Sequence, residues 1–200
     1  MKHYDIVLIR SRLLSVYKSV FPPYAALFLG SALRRKGYRV RVFDAQVEDE
    51  AELRKALAGH SPLWVGFTDV LTGPAITENV RLASEVRKID ADIPLVWGGP
   101  HPTVVPNQAA RHAMVDFACV GEGERTALEL TEALKSGSDP AHIRGVAFEQ
   151  DGELFKTAER EFIADWDQEV FLDWDLVDFE RYVNQLGSSR NMPIITSRGC

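Results

Sequence analysis

Tyr4-Asp5-Ile6-Val7-Leu8-Ile9 is a nearly unbroken apolar run close to the start of the chain. Such a run is typical of a strand that helices cover on both faces. Beyond it, short β-rich runs alternate with longer amphipathic segments, which predicts βαβ units and a parallel sheet. The five predicted strands span residues 4–9, 38–44, 63–67, 93–97 and 117–120.

The predicted helices carry recognisable start and end signals. Pro22-Pro23 begins the first helix, where a missing N–H costs little, and Arg34-Arg35-Lys36-Gly37 ends it with cations and a residue free to turn left-handed. Further helices are expected at 49–58, from Gly73-Pro74, and from about Glu124 to Gly137.

The second strand decides the predicted topology. Its valines, Val40 and Val42, alternate with Arg39 and Arg41, so we expect one wet face and a position at the sheet edge. Right-handed winding then favours the strand order 2-1-3-4-5. The sequence therefore predicts an α/β, flavodoxin-like (Rossmann-like) doubly wound five-stranded parallel sheet over residues 1–138.

The pattern changes after Ser138. Asp151-Gly152 lies between two short apolar runs, 146–149 and 154–157, which predicts an antiparallel hairpin appended to the sheet. The acidic stretch 159–181 contains Trp166 and Trp174 and is expected to pack these rings on a surface that it crosses.

Residues 139–191 are thus predicted to be a β-hairpin and bridging linker. Residues 192–200 begin with an apolar run, Met192–Thr196, which we expect to be the first strand of a further domain.

The amino-acid composition and net charge exclude several classes of protein. The 200 residues are 46% hydrophobic and 26% charged, as in globular proteins. A net charge of -6 has the wrong sign for a domain that neutralises nucleic-acid phosphates. No apolar run approaches the roughly 18 residues of a membrane helix, and Asp5 interrupts any signal-peptide pattern, so a cytoplasmic protein is expected. The two cysteines, Cys119 and Cys200, exclude a disulfide framework, and Cys119 is expected in the core.

Ligands of open parallel sheets bind outside the carboxyl ends of the strands, where the strand order reverses. For the order 2-1-3-4-5 this crevice opens between the first and third strands. The loops expected to line it are Arg10–Phe21, Thr68–Gly73, Gly98–Thr103 and Gly121–Glu124.

Three of these loops have a sequence feature that suggests ligand binding, and for the first two a simpler structural explanation is also available. The first contains Arg10, Ser11, Arg12, Ser15 and Lys18, which suit an anionic group or simply form a solvated basic loop. Gly98-Gly99 would admit a ligand against bare backbone, although a simple turn explains many such pairs. Gly121–Thr126 opens a helix with free N–H groups. Because this GxGxx pattern follows the fifth strand and not the first, a nicotinamide site is disfavoured.

The sequence lacks the residues that other activities on this fold require. Arg10 and Gly121 stand where a phosphoacceptor receiver needs acids and a lysine, and the GxSxG and GxxxxGK[ST] motifs are absent.

Three histidines, His60, His112 and His142, are scattered along the sequence. His101 lies at the crevice, where its neighbours Pro100 and Pro102 favour a loop-shaping role.

Three segments, in order, carry a resemblance: Pro22-Pro23-Tyr24, Gly98-Gly99-Pro100-His101-Pro102-Thr103 and Gly121-Glu122-Gly123-Glu124-Arg125-Thr126. Together with the five βα units they resemble the N-terminal cobalamin-binding domain of cobalamin-dependent radical SAM enzymes. Thr196-Ser197-Arg198-Gly199-Cys200 is similar to the lead-in of that family's CxxxCxxC motif, whose cysteines bind a [4Fe-4S] cluster that holds S-adenosylmethionine.

The resemblance implies a role for each loop. Gly98 and Gly99 would form the floor beneath the cobalamin nucleotide tail, Gly121–Glu124 would line that tail, and Thr68–Thr72 would face the lower side of the corrin ring. Cys200 would be the first ligand of the cluster iron. The candidate cofactor-binding residues are Arg10, Ser11, Thr68, Asp69, Val70, Leu71, Thr72, Gly98, Gly99, Pro100, His101, Gly121, Glu122, Gly123 and Glu124.

Some cobalamin-binding modules carry the motif DxHxxG after the first strand, and the histidine of that motif ligates the cobalt from below. This chain differs from them. Residues 10–21 contain no histidine, so the resemblance implies a base-off cobalamin whose lower face meets Asp69, Val70, Leu71 or a water. Weak ligation below the cobalt should favour methyl transfer by radical capture.

The resemblance thus implies the cobalamin-binding part of a radical SAM enzyme, most simply a methyltransferase acting on an unactivated carbon or phosphorus centre. A C-terminal radical SAM barrel and a small-molecule substrate would be its partners, and the second and third cluster cysteines would follow Cys200. Three alternatives stay open: a non-methylating cyclase of the anaerobic porphyrin cyclase type, a stand-alone cobalamin sensor or carrier, and a fold that has lost cobalamin.

Overall fold

The computed structural model of the chain describes residues 3–12, 21–59, 61–71, 73–165, 171–186, 189–192 and 194–195. Its main sheet has the order β2-β1-β3-β4-β5-β6-β7. The strands are β1 Ile6–Arg10, β2 Val40–Asp44, β3 Trp64–Thr68, β4 Leu95–Trp97, β5 Phe117–Cys119, β6 Val146–Gln150 and β7 Glu153–Lys156. The first five are parallel, which confirms the predicted fold class and the order 2-1-3-4-5.

Helices cover both faces of this sheet. They are α1 Tyr24–Arg35, α2 Glu50–Leu57, α3 Pro74–Ile89, α4 Pro100–Val104, α5 Pro106–Ala110 and α6 Glu124–Ser136. In β1, Ile6 and Leu8 join the core on the α1 and α6 side, while Val7 and Ile9 join the core beneath α2 and α3. All four are fully buried, as expected for a central strand.

The hairpin is part of the main sheet and not a separate appendage. Its turn, Asp151-Gly152, has positive φ at both residues, as the sequence predicts. However, β6 pairs antiparallel with β5 and β7 extends the sheet further. The Phe148 ring lies 5.7 Å from that of Phe117 and 5.1 Å from that of Phe155, so aromatic packing seals an edge of β5 that would otherwise be open.

The second strand is at an edge, and its arginine face is wet only in part. Arg39 is exposed and Arg41 half-buried, whereas Phe43 is completely buried in the core beneath α2 and α3. The valine face, with Val40 and Val42, is buried, and the linker returns to cover it. Two 3₁₀ helices, Trp174–Leu176 and Phe179–Tyr182, form the covering segment.

The linker packs closely on α1. A Cβ atom at Gly30 would lie 2.8 Å from Leu176 Cδ1, and the Trp174 ring meets the Tyr24 ring edge-on at 6.1 Å. The predicted surface packing of the linker therefore holds for Trp174, whereas Trp166 lies outside the described residues.

The C-terminal part forms a small separate hairpin, β8 Asn184–Leu186 and β9 Ser189–Asn191. Met192, Ile194 and Ile195 pair with no other strand among the described residues, and the strand at 192–196, expected to begin a further domain, stays a prediction. Ser15, Lys18, His60, Thr72 and 196–200 lie outside the described residues. Where the structure describes the chain, none of the helices combines the length and apolar composition needed to cross a bilayer.

Candidate functional site

The four predicted loops meet at one edge of the sheet. Strands β1, β3, β4 and β5 are parallel and adjacent, with Arg10 beside Thr68 and Phe67 beside Trp97. Their carboxyl ends therefore lie side by side. We call residues 10–12, 68–71, 98–103 and 121–124 the crevice edge.

The turn after β4 is fastened to the turn after β3 by three backbone hydrogen bonds. Gly98 N donates to Phe67 O (2.9 Å), Val70 N to Gly98 O (3.0 Å) and His101 N to Val70 O (2.9 Å). Gly99 has φ of +113°, and a Cβ there would lie 2.7 Å from Val70 N. The protein's own packing thus accounts for Gly99.

Gly98 and Gly121 differ from Gly99, because nothing in the described protein crowds them. A Cβ at Gly98 would make only ordinary contacts, 3.8 Å to Cys119 Cβ and 4.0 Å to Phe67 O. At Gly121 a Cβ would meet nothing within 4 Å. The backbone at these two positions is therefore open to a ligand that must come close to it.

Thr103 joins these two turns. Its hydroxyl donates to Gly99 O (2.8 Å) and accepts from Gly121 N (3.1 Å). Thr103 lies in the predicted crevice loop Gly98–Thr103 but was not among the candidate cofactor-binding residues, and α4 was not predicted. The signal was present in Pro100, which occupies the first turn of α4, where proline is favoured.

Gly123 caps α6 and packs tightly. A Cβ there would lie 3.0 Å from Leu29 Cδ2 and 3.6 Å from Cys119 Sγ. Glu122 Oε2 accepts a hydrogen bond from Ile163 N (2.6 Å), so this side chain holds the linker. Glu124 is buried in the first turn of α6, where a negative charge is favourable.

His101 presents an unpaired polar atom at the crevice edge. The residue is 7% exposed, and its Nδ1 is buried with no hydrogen-bond partner among the described residues. Burial lowers the pKa of His101, and the neighbouring His112 lowers it further, so the neutral ring prevails at pH 7. A buried atom left unpaired is costly, which makes Nδ1 a candidate for a ligand hydrogen bond.

In the first loop Arg10 is buried and its bonds lie within the protein. It forms an ion pair with Asp44 and donates from Nη2 to Phe21 O (2.6 Å). Ser11 is 2% exposed, and Arg12 Nε donates to Ala45 O (3.0 Å). Arg10 and Ser11 thus shape this end of the crevice edge, and direct contact with a ligand stays a prediction.

The loop after β3 presents a mixed surface. Thr68 is buried and its hydroxyl donates to Ile9 O (3.3 Å). Asp69 has a left-handed φ of +55° and is half-buried. Val70 is completely buried whereas Leu71 is 38% exposed, so a ligand can reach Asp69 and Leu71 among residues 68–71.

The described residues contain no group of three or more metal-binding side chains, and the predicted iron ligand, Cys200, falls outside them. Cys119 is a core residue, as predicted. Burial raises the pKa of its thiol to about 12, so the unreactive protonated form prevails.

Two curated relatives span nearly the whole chain. An uncharacterized methyltransferase, PH0819, of Pyrococcus horikoshii is 28% identical over 185 residues, which are 90% of this chain and 39% of that protein. An anaerobic magnesium-protoporphyrin IX monomethyl ester cyclase of Synechocystis sp. is 29% identical over 189 residues, 92% of this chain and 37% of that protein. The chain thus spans less than two fifths of the length of these relatives.

Solved structures with this fold include two enzymes with cobalamin or aqua-cobalamin bound. The radical S-adenosylmethionine methyltransferase TsrM from Kitasatospora setae, with cobalamin and a [4Fe-4S] cluster bound, is 25% identical at a TM-score of 0.66, covering 78% of this chain and 31% of that one. The S-adenosylmethionine radical enzyme OxsB, with aqua-cobalamin and S-adenosylmethionine bound, is 20% identical at a TM-score of 0.68, covering 84% and 24%.

The family model described as "B12 binding domain" matches residues 11–131. This match takes in the turns at Gly98-Gly99 and Gly121–Gly123 and extends over more than half of the chain. The chain therefore belongs to the B12 binding domain family.

Proposed function

We propose that this chain binds cobalamin at the crevice edge, as the corrinoid-binding part of a radical SAM enzyme. One observation carries the proposal: Gly98 and Gly121 expose open backbone on neighbouring turns that Thr103 ties together. Membership of the B12 binding domain family supports it, as does the likeness to TsrM.

The residues at this edge suit the nucleotide tail of a corrinoid. Gly98 and Gly121 allow a ligand to rest against the backbone, and the start of α6 at Glu124 offers N–H groups to oxygen-rich parts of the ligand. His101 Nδ1 can pair with a hydroxyl or amide of the ligand. The corrin would then face Asp69 and Leu71, which are the accessible residues of the loop after β3.

The lower face of the corrin would receive no imidazole from the first loop, since residues 10–21 contain no histidine. His101 is buried in α4. When bound, cobalamin would supply a transferable methyl group. The chain's own residues would hold the corrinoid, with its tail against the backbone of Gly98 and Gly121 and its ring beside Asp69 and Leu71.

For the complete enzyme we propose methylation of an unactivated carbon or phosphorus centre in a small molecule. The named methyltransferase relative and TsrM support this choice. A radical SAM barrel with its [4Fe-4S] cluster and S-adenosylmethionine would be the partner, with Cys200 as the first cluster ligand. The cyclase relatives, 29% identical, favour a second candidate, a non-methylating cyclase.

Adding hydroxocobalamin to the purified chain, desalting it and recording the absorption spectrum tests the proposed binding. We expect one retained corrinoid per chain with a base-off spectrum. A chain that retains none after desalting contradicts the proposal.

A matched pair of glycines locates the ligand. Gly121 and Gly152 both have φ of +80°, and a Cβ at either position would meet nothing within 4 Å, so Gly121→Leu and Gly152→Leu carry the same backbone strain. Only the leucine at position 121 would enter the crevice edge. We expect Gly121→Leu to weaken hydroxocobalamin binding by about tenfold or more, and Gly152→Leu to bind as wild type. Equal affinities would place the ligand elsewhere.

A further inference from the structure

A buried polar network lies beside the crevice edge, where β1 and β2 end. Asp44 is completely buried. Its Oδ1 accepts from Arg10 Nε (3.0 Å) and Gln46 N (3.0 Å), and its Oδ2 accepts from Tyr182 Oη (2.8 Å) and pairs with Arg10 Nη2. Both carboxylate oxygens are therefore satisfied, as a buried charge requires.

Arg10 connects this carboxylate to both ends of the first crevice loop. Its Nη2 donates to Phe21 O (2.6 Å), and its backbone carbonyl accepts from Ala45 N (3.0 Å). Residues 44–48, which we call the β2 turn, are closed by Val47 N and Glu48 N donating to Asp44 O. The described ends of the first loop, residues 10–12 and Phe21, are thus held next to the β2 turn.

Two consecutive residues of the linker, Arg181 and Tyr182, form hydrogen bonds to the β2 turn. Tyr182 is 2% exposed and donates to Asp44, while Arg181 Nη1 donates to Val47 O (2.8 Å). The Arg10 guanidinium also lies 6.0 Å from the centre of the Tyr182 ring, within the range of a cation–π contact. The linker is therefore in contact with the groups that hold the crevice loop.

We propose that Tyr182 is a positioning residue that couples linker docking to corrinoid binding through Asp44 and Arg10. Removing its hydroxyl leaves Asp44 Oδ2 one donor short in a buried site, with Arg10 Nη2 as its remaining donor. Because Nη2 also donates to Phe21 O, a shift of Nη2 towards Oδ2 would weaken the bond to Phe21. Coupling is reciprocal, so a bound corrinoid should in turn hold the linker in place. The corrinoid part of this inference rests on the proposed function.

Tyr182→Phe tests the network, with Tyr38→Phe as the control. Tyr38 is also buried and its hydroxyl also pairs with a carboxylate, that of Glu132, but away from the β2 turn. Without ligand, we expect Tyr182→Phe to lower the hydrogen-exchange protection of the Ala45, Gln46 and Val47 amides by a factor of about 5 or more. The Val120 amide, bonded to Gly145 O, should not change, and Tyr38→Phe should leave the β2 turn as in wild type.

With hydroxocobalamin, Tyr182→Phe should lower the affinity by a similar factor of about 5, and the ligand should increase protection of the Arg181 and Val183 amides in wild type. Unchanged affinity in a folded Tyr182→Phe chain overturns the coupling while the proposed function stands. Equal losses in both variants overturn it as well, since they report general destabilisation. A wild type that retains no corrinoid contradicts the proposed function, and the ligand-free exchange result then decides the structural role of Tyr182.

Discussion

Adjacent glycines in the turn after β4 have different physical reasons to be glycine. At Gly99 the reason is internal, since φ is +113° and Val70 N leaves no room for a Cβ. At Gly98 the surrounding protein would accept a methyl group. A glycine that neither backbone strain nor packing requires is open to a requirement from outside, here the proposed ligand.

Alanine at each of these positions should separate folding from binding. Gly99→Ala should lower the free energy of unfolding by about 1–3 kcal/mol, since strain and a backbone clash combine. Gly98→Ala should change it by less than about 1 kcal/mol and should weaken hydroxocobalamin binding instead. Urea unfolding and spectroscopic titration measure the two effects. The reverse assignment of the two effects would contradict this account of the turn.

Burial also determines which candidate residues in the loop after β3 can contact a ligand. Val70 and Thr68 were both candidates for contact with the corrin, but they are buried in the described structure. Within residues 68–71, the side chains of Asp69 and Leu71 remain accessible. Burial of this kind depends on neighbours distant in sequence, so the motif alone did not distinguish these residues.

Among the secondary-structure elements, the β6–β7 hairpin does more than its sequence signal suggests. It closes the free edge of β5, a strand of three residues. Phe148 is 3% exposed, and its ring stacks on that of Phe155 and lies tilted against that of Phe117. Because β5 leads directly into the turn at Gly121, the hairpin also supports one wall of the crevice edge.

Phe148→Ala should therefore be strongly destabilising. Loss of a buried aromatic ring leaves a cavity and typically costs about 3–5 kcal/mol. Thermal unfolding followed by circular dichroism checks this value. Phe162→Ala is the matched control, since Phe162 is 78% exposed and its removal should leave the midpoint almost unchanged. Similar midpoints for both variants would mean that the hairpin is not part of the cooperative core.

At the scale of the whole molecule, three residues of the linker, Trp174, Leu176 and Tyr182, pack with the domain that it crosses. Leu176 and Trp174 pack with residues of α1 and β2, and Tyr182 reaches Asp44 across 138 positions of sequence. A segment held in this way should unfold together with the sheet and not before it.

Leu176→Ala tests this cooperativity. We expect the free energy of unfolding to fall by about 2–5 kcal/mol, as for other buried leucines. In wild type, the Asp173 amide, which donates to Ser31 Oγ of α1, should exchange with the same free energy as the global unfolding followed by far-ultraviolet circular dichroism. Exchange of this amide at a clearly lower free energy would show that the linker detaches independently.

Local sequence patterns were sufficient for the five βα units, the order 2-1-3-4-5 and the four loops of the crevice edge, because hydrophobic period and helix-end signals depend on near neighbours. Three features required the tertiary structure: the fusion of the hairpin to β5, the burial of β2 beneath the linker, and the pairing of Arg10 with Asp44 and Tyr182. Each of these joins residues that are distant along the chain. Such contacts form only where folding brings complementary surfaces and charges together. Local sequence patterns therefore do not predict them.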